Sequence, residues 1–114
     1  MLKKQNRLST RLEFNITKKY GEYTAGSYFH LYALKPRNYT GATQVGFVIS
    51  NKFHKNAVVR NRIKRLFREI IQKELKKFGE NHWVLIYPKV SCMHKTYEEI
   101  SADVNRTLQK ISFS

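Results

Sequence analysis

Four arginines in nine residues, Arg60, Arg62, Arg65 and Arg68, are the densest set of chemically competent groups in this sequence. With Lys52, Lys55 and Lys64 they place seven of the chain's 22 lysines and arginines in the seventeen positions 52–68, and no acid intervenes before Glu69. A guanidinium is planar, permanently charged and carries a fork of N–H donors that grips a phosphate through two parallel bonds. The chemistry on offer is phosphate recognition. A solvated helix face normally mixes signs, because like charges at i,i+4 cost about 0.2–0.5 kcal/mol. Residues 72–80 (QKELKKFGE) nearly show that mixture. The segment before them does not, so a partner must supply the negative charge.

Groups that could break bonds are scattered. The acids are Glu13, Glu22, Glu69, Glu74, Glu80, Glu98, Glu99 and Asp103. Most have helix-surface spacing, and none forms a cluster able to hold two metal ions. His30, His54, His82 and His94 show no i,i+3 or i,i+4 pairing, and Cys92 has no second cysteine, so a zinc site is not expected. A lone cysteine reads as a small buried filler. The expectation is a protein with no catalytic and no metal-binding residue of its own.

At 114 residues and 41% hydrophobic, the chain has room for one domain, 1–114, with one modest core. Its formal charge of +14 exceeds what solubility needs and works against compactness. Nucleic acids, anionic membranes and acidic proteins could offset it. An aromatic content of 13% is too high for a disordered basic tail, which leaves a folded, nucleic-acid-binding domain. The start, MLKKQNRLSTRLEF, lacks the apolar stretch of a signal peptide. No run approaches the ~18 apolar residues of a membrane span. A cytoplasmic protein with no membrane partner is expected.

The elements that must position the arginines follow from periodicity and capping. Residues 10–13 (TRLE) have capping-box spacing and predict a first helix to about Lys19, stopped near Gly21. Residues 28–34 (YFHLYAL) predict a strand apolar on both faces, hence inside a sheet. After the turn residues 36–42 (PRNYTGA), residues 44–50 (QVGFVIS) predict the next strand, antiparallel to the previous one. Asn56 is a suitable N-cap for a long helix from Ala57 to about Lys77, with Gly79 as its stop. Residues 83–87 (WVLIY) suit a central strand, and 97–111 a last helix with Ile100, Val104, Leu108 and Ile111 on one stripe.

The fold class is α+β, a small central sheet with helices packed on it, in the order α-β-β-(β)-α-β-α. At 100° per residue, Ile63, Leu66, Phe67, Ile70 and Ile71 share one side of the long helix. Asn61, Lys64, Arg65, Arg68 and Gln72 share the opposite flank. The apolar stripe docks the helix while the flank faces phosphates. Charge alone does not separate DNA from RNA. A helix-turn-helix reader needs a preceding helix and a tight turn, whereas a strand and a basic loop precede this helix, which lowers the DNA reading.

Residues 55–69, KNAVVRNRIKRLFRE, resemble the signature of the bacterial ribonuclease P protein subunit, K-x-A-x-x-R-N-R-x-K-R-x-x-R-E/Q. Ala57, Arg60, Asn61, Arg62, Lys64, Arg65 and Arg68 all fall in register. Residues 7–14, RLSTRLEF, are similar to that family's opening R-L-x-x-x-x-x-F, and VGFVISNK and WVLIYP follow in the family's order. The resemblance implies a protein that binds a catalytic RNA subunit and the 5′ leader of precursor tRNA, and assists Mg²⁺-dependent removal of that leader. The RNA carries the chemistry and holds most of the Mg²⁺. It also implies a left-handed crossover between parallel strands, as in ribosomal protein S5 domain 2, although right-handed crossovers prevail in about 98% of cases.

Carried over by position, Lys52, Lys55, Arg60, Asn61, Arg62, Lys64, Arg65 and Arg68 would contact the catalytic RNA. Phe14, Lys18 and Tyr32 would contact the leader, with the protein a monomer in the holoenzyme and no DNA partner. Phe14 also suits plain core, and His54 suits either an RNA contact or an ordinary loop. Lys18 stands where the family often has a second aromatic, and Phe53 and His54 lengthen a loop that is often shorter and glycine-containing. The rival reading is a structural ribosomal-type RNA-binding protein, with a DNA binder third.

Overall fold

Thr10 opens the first helix through a reciprocal pair of bonds. Its Oγ1 accepts from the Glu13 amide at 3.2 Å, and Glu13 Oε1 accepts from the Thr10 amide at 3.1 Å. The computed structural model describes residues 4–8, 10–50 and 52–111, so Ser9 of the opening motif and Asn51 of the basic loop lie outside the described residues. Helix α1 runs Arg11–Tyr20, and the Gly21 amide closes it on the Thr17 carbonyl at 2.9 Å.

Strands β1 (Glu22–Ala25), β2 (Phe29–Leu34), β3 (Gln44–Phe47) and β4 (Trp83–Pro88) form one mixed sheet in the order β1-β2-β4-β3. The β1/β2 and β2/β4 pairs are antiparallel, and β3/β4 is parallel. One expectation is corrected here. β3 does not lie beside β2, because β4 is inserted between them. The most apolar strand takes the middle, where Val84, Leu85 and Ile86 are fully buried. Three strands precede the long helix, the number the expected order allows with its bracketed strand, but the additional one, β1, comes first rather than third. Its polar, largely exposed sequence EYTA suits an edge.

Helix α2 spans Ala57–Lys73, with Asn56 Oδ1 accepting from the Val58 amide at 2.8 Å. It stops earlier than its periodicity predicts. From Leu75 to Phe78 the chain tightens into a 3₁₀ turn that carries Phe78 fully into the core, and Gly79 ends the turn at φ 66°. Helix α3 spans Tyr97–Leu108 behind a second capping box, Thr96 with Glu99, at 3.1 and 3.2 Å. It ends before Ile111, which packs half-buried against the core.

α2 and α3 cover one face of the sheet. Ile63, Phe67, Ile70 and Ile71 meet Ile100 and Val104 over Phe29, Leu31, Val45, Val84 and Ile86. Each such side chain contributes roughly 1.5–3 kcal/mol by leaving water. Leu66 is only half-buried at the stripe's margin. Buried Asp103 fastens α3 to the β1–β2 turn, its two oxygens accepting from the Ser27 and Tyr28 amides at 2.9 Å each. α1 crosses the opposite face, which keeps that side of the sheet partly open.

Candidate nucleic-acid interface

Among the described residues, no ion pair compensates the charge on the outward flank of α2. Asn61, Arg62 and Arg65 are exposed, while Lys64 and Arg68 are half-buried. The ion pairs among the described residues are Lys77–Glu74 at 2.8 Å, Arg106–Asp103 at 3.1 Å and Lys95–Glu99 at 3.8 Å. None involves Lys52, Lys55 or any basic residue of α2. Arg60 is the member with internal work. Its Nη1 donates to the carbonyls of His54 at 2.6 Å and Lys55 at 2.9 Å, clamping the preceding loop to the helix. His54 Nδ1 accepts from the Asn56 amide at 3.0 Å, so this histidine helps to shape the loop that carries Lys52 and Lys55.

On the opposite face, pairing register sets Tyr23, Tyr32, Leu85 and Gly46 in one row across the four strands. The Tyr32 ring lies 5.2 Å from Tyr23 and 5.6 Å from Tyr87. Lys18 reaches from α1 to place Nζ 5.2 Å from the centre of the Tyr87 ring. With His30 these residues line an open cleft of about 410 Å³. The structure thus brings Lys18 and Tyr32 together and adds Tyr23, His30 and Tyr87, which motif reading missed. The alternation of His30 with Tyr32 was a usable signal. Tyr23 lies on a strand that no pattern announces, and Tyr87 was absorbed into an apolar run.

Burial, and then the Lys89 ammonium, hold the His30 imidazole below its usual value. It is therefore neutral at pH 7 and shares a 2.6 Å hydrogen bond with the Tyr23 hydroxyl. Burial, and then neighbouring Tyr32, push the Tyr87 phenol up, so it remains an O–H group. The cleft wall is uncharged and aromatic apart from Lys18. Such a wall suits the faces of unpaired bases, with one cation for a phosphate.

Phe14 stands apart from that cleft. It is half-buried over Gly46, where an added Cβ would lie 2.7 Å from its Cζ, so only glycine admits the ring at this height. It lines a second, narrower notch of about 210 Å³ with Arg7, Phe47 and Arg68. The Arg68 guanidinium lies 5.9 Å from the Phe47 ring centre. The cationic flank of α2 and the α1 side of the sheet therefore meet at the β3 edge.

No group of three or more His, Cys, Asp or Glu among the described residues could hold a metal ion. Of the acids, Asp103, Glu74 and Glu99 are engaged in ion pairs and caps. Cys92 is buried, and burial pushes its thiol up to about 11, which leaves it inert at neutral pH. No helix among the described residues is long and apolar enough to cross a membrane.

A mixed sheet with an aromatic face and an uncompensated arginine-rich helix defines a basic α+β nucleic-acid-binding protein. The ribonuclease P family model matches residues 2–112. The ribonuclease P protein component of Pseudanabaena is 33% identical over 110 residues, covering 96% of this chain and 94% of the relative. That of Fusobacterium nucleatum is 36% identical, covering 83% and 95%. The Staphylococcus aureus RNase P protein structure superposes with a TM-score of 0.80 at 23% identity over 94% of this chain and 95% of that one. The Thermotoga maritima protein does so at 0.80 and 22% over 93% and 97%. The chain belongs to the ribonuclease P protein family. It acts as part of a catalytic ribonucleoprotein, with the ribonuclease P RNA and precursor tRNA, in maturing tRNA 5′ ends, and is not a catalyst alone.

Proposed function

We propose that the α2 flank docks the catalytic RNA and that the aromatic face under α1 receives the 5′ leader of precursor tRNA. Arg62, Lys64, Arg65 and Arg68 grip RNA phosphates, Asn61 adds a neutral hydrogen-bonding group, and Lys52 and Lys55 extend the surface from the loop. Arg60 contributes by holding that loop and by lending its charge. Leader bases stack on Tyr32, at about 1–3 kcal/mol per base, with Lys18 meeting a leader phosphate. Phe14, at the notch shared with Arg68, seats the part of the leader nearest the catalytic RNA. Mg²⁺ is held mainly by RNA, and the protein works in the cytoplasm as a monomeric single domain, with neither DNA nor membrane as partner. The crossover through α2 is left-handed, of the ribosomal protein S5 domain 2 kind.

The observation that carries this reading is the lack of any ion pair among the described residues along the α2 flank, next to an aromatic cleft on the same molecule. The test is 5′ cleavage of precursor tRNA at low Mg²⁺ by the cognate RNA, with and without this protein. The protein is expected to stimulate cleavage severalfold and to lower the Mg²⁺ requirement. No stimulation, with the protein sedimenting on ribosomes, would favour the structural ribosomal reading instead.

A further inference from the structure

A second surface of α2 has the composition of a nucleotide seat. Arg62, Arg65 and Glu69 recur at i, i+3 and i+7 and so follow one line along the helix. Across from them runs the turn before α3, carrying Met93, His94 and Lys95. Between the two walls lies an open groove of about 520 Å³, within the roughly 300–1,000 Å³ typical of small-ligand sites. Its rim is polar and exposed at Arg62, Arg65, His94 and Lys95, and its floor is apolar, with Leu66, Met93 and Tyr97 half-buried. A surface made only for solubility needs no apolar floor between two cationic rims. A nucleotide has the complementary build, an apolar-faced base flanked by phosphates.

Two details of charge decide the occupant. Arg62 and Arg65 have no ion-pair partner among the described residues, and Lys95 makes a 3.8 Å contact with exposed Glu99 and lies 5.7 Å from the Tyr28 ring centre. Glu69 is the one acid lining the groove, and it is also unpaired among the described residues. The net balance calls for an anion, and the groove is continuous with the flank through Arg62 and Arg65. We infer that this groove binds an unpaired nucleotide of the catalytic RNA, its base on the Leu66–Met93–Tyr97 floor and its phosphates between the α2 arginines and Lys95. This rests on the reading of the α2 flank as the RNA-docking surface and adds the turn 93–95 as its second wall.

The test measures binding of full-length protein to the transcribed catalytic RNA over a series of salt concentrations. His94→Ala with Lys95→Gln should weaken binding about tenfold and lower the salt slope by about one. Glu69→Gln should tighten binding by about two- to fivefold, because a like charge beside the phosphates is removed. A photo-crosslinking side chain at position 93 should label an unpaired nucleotide of the catalytic RNA. Unchanged affinity in both variants, or a crosslink only to precursor tRNA or to an acidic protein added as competitor, overturns the inference. Arg68→Ala, on the notch side of α2, is run in parallel. If it weakens RNA binding while the groove variants do not, the groove fails and the docking reading stands; if it too is silent, both fall.

Discussion

The α2 flank and the cleft under α1 both suit RNA, yet they are built in opposite ways. The flank comes from one helix, and its members are neighbours in sequence, so a single capped turn at Asn56 positions all of them. The cleft takes one residue from α1 and four from three strands, and its geometry exists only once β1, β2 and β4 have paired. The flank carries charge that no ion pair among the described residues neutralises, whereas the cleft presents ring faces that are nearly neutral. Their contacts should therefore differ in salt dependence, and the largest expected effect tests that difference. Changing Arg65 and Arg68 together to Ala removes two charge-assisted contacts, each worth about 1.5–3 kcal/mol. Affinity for the catalytic RNA should fall at least a hundredfold, with the salt slope lower by about two. The preference for precursor over mature tRNA should survive in whatever holoenzyme assembles. Loss of that preference would merge the two regions into one.

Next in size is Tyr32→Ala, expected to weaken precursor tRNA binding by roughly five- to a hundredfold, at about 1–3 kcal/mol for one stacked base. Mature tRNA binding and the salt slope should stay as they were. Phe14→Ala should follow the same pattern on a smaller scale. Equal losses for precursor and mature tRNA, accompanied by a lower melting temperature, would make Phe14 a packing residue.

Gly46 sharpens the comparison at the place where the regions meet. Gly46→Ala puts a methyl about where the Phe14 ring now lies, at 2.7 Å from Cζ. Overpacking of this kind costs about 1–3 kcal/mol, and here the ring edge is free to swing out instead. The expected result is modest destabilisation together with a precursor-binding loss like that of Phe14→Ala. The double variant should lose little more than either single change, because both disturb one ring. Additive losses would mean that Gly46 and Phe14 act separately.

The same contrast explains what the sequence made legible. Helix starts were readable because caps are local, as Thr10 and Asn56 illustrate. The flank was readable because helical periodicity maps seventeen consecutive positions onto faces. Strand order was not, since which strand pairs with β2 depends on burial summed over the whole sheet, and β4 displaced β3 from that place. β1 escaped notice because an exposed edge strand needs no apolar alternation. The early end of α2 turned on Phe78, whose burial requires a tighter turn than the α-helical period supplies. Tyr23 and Tyr87 became cleft residues only through cross-strand register, which no local pattern records.

The smallest effect probes the one titratable group in the cleft that the fold perturbs near neutrality. His30 sits among Tyr23, Tyr32, Tyr87, Lys18 and Lys89, and its folded value lies below 6.5, chiefly through burial and then through Lys89. A lowered value means that folding favours the neutral ring. Its contribution is complete above the unfolded value near 6.5 and is lost as pH falls through the lower, folded one. The Tyr23–His30 bond uses the ring nitrogen Nδ1, whose hydrogen-bonding role changes when the ring is protonated. An NMR titration should place the His30 midpoint below 6.5, and the Tyr23 ring signals should move in the same window. Lys89→Gln should raise that midpoint only in part, because burial is the larger cause. If the midpoint instead returned fully to 6.5, the cleft would be governed by charge, as the α2 flank is, and the physical distinction between the two regions would be lost.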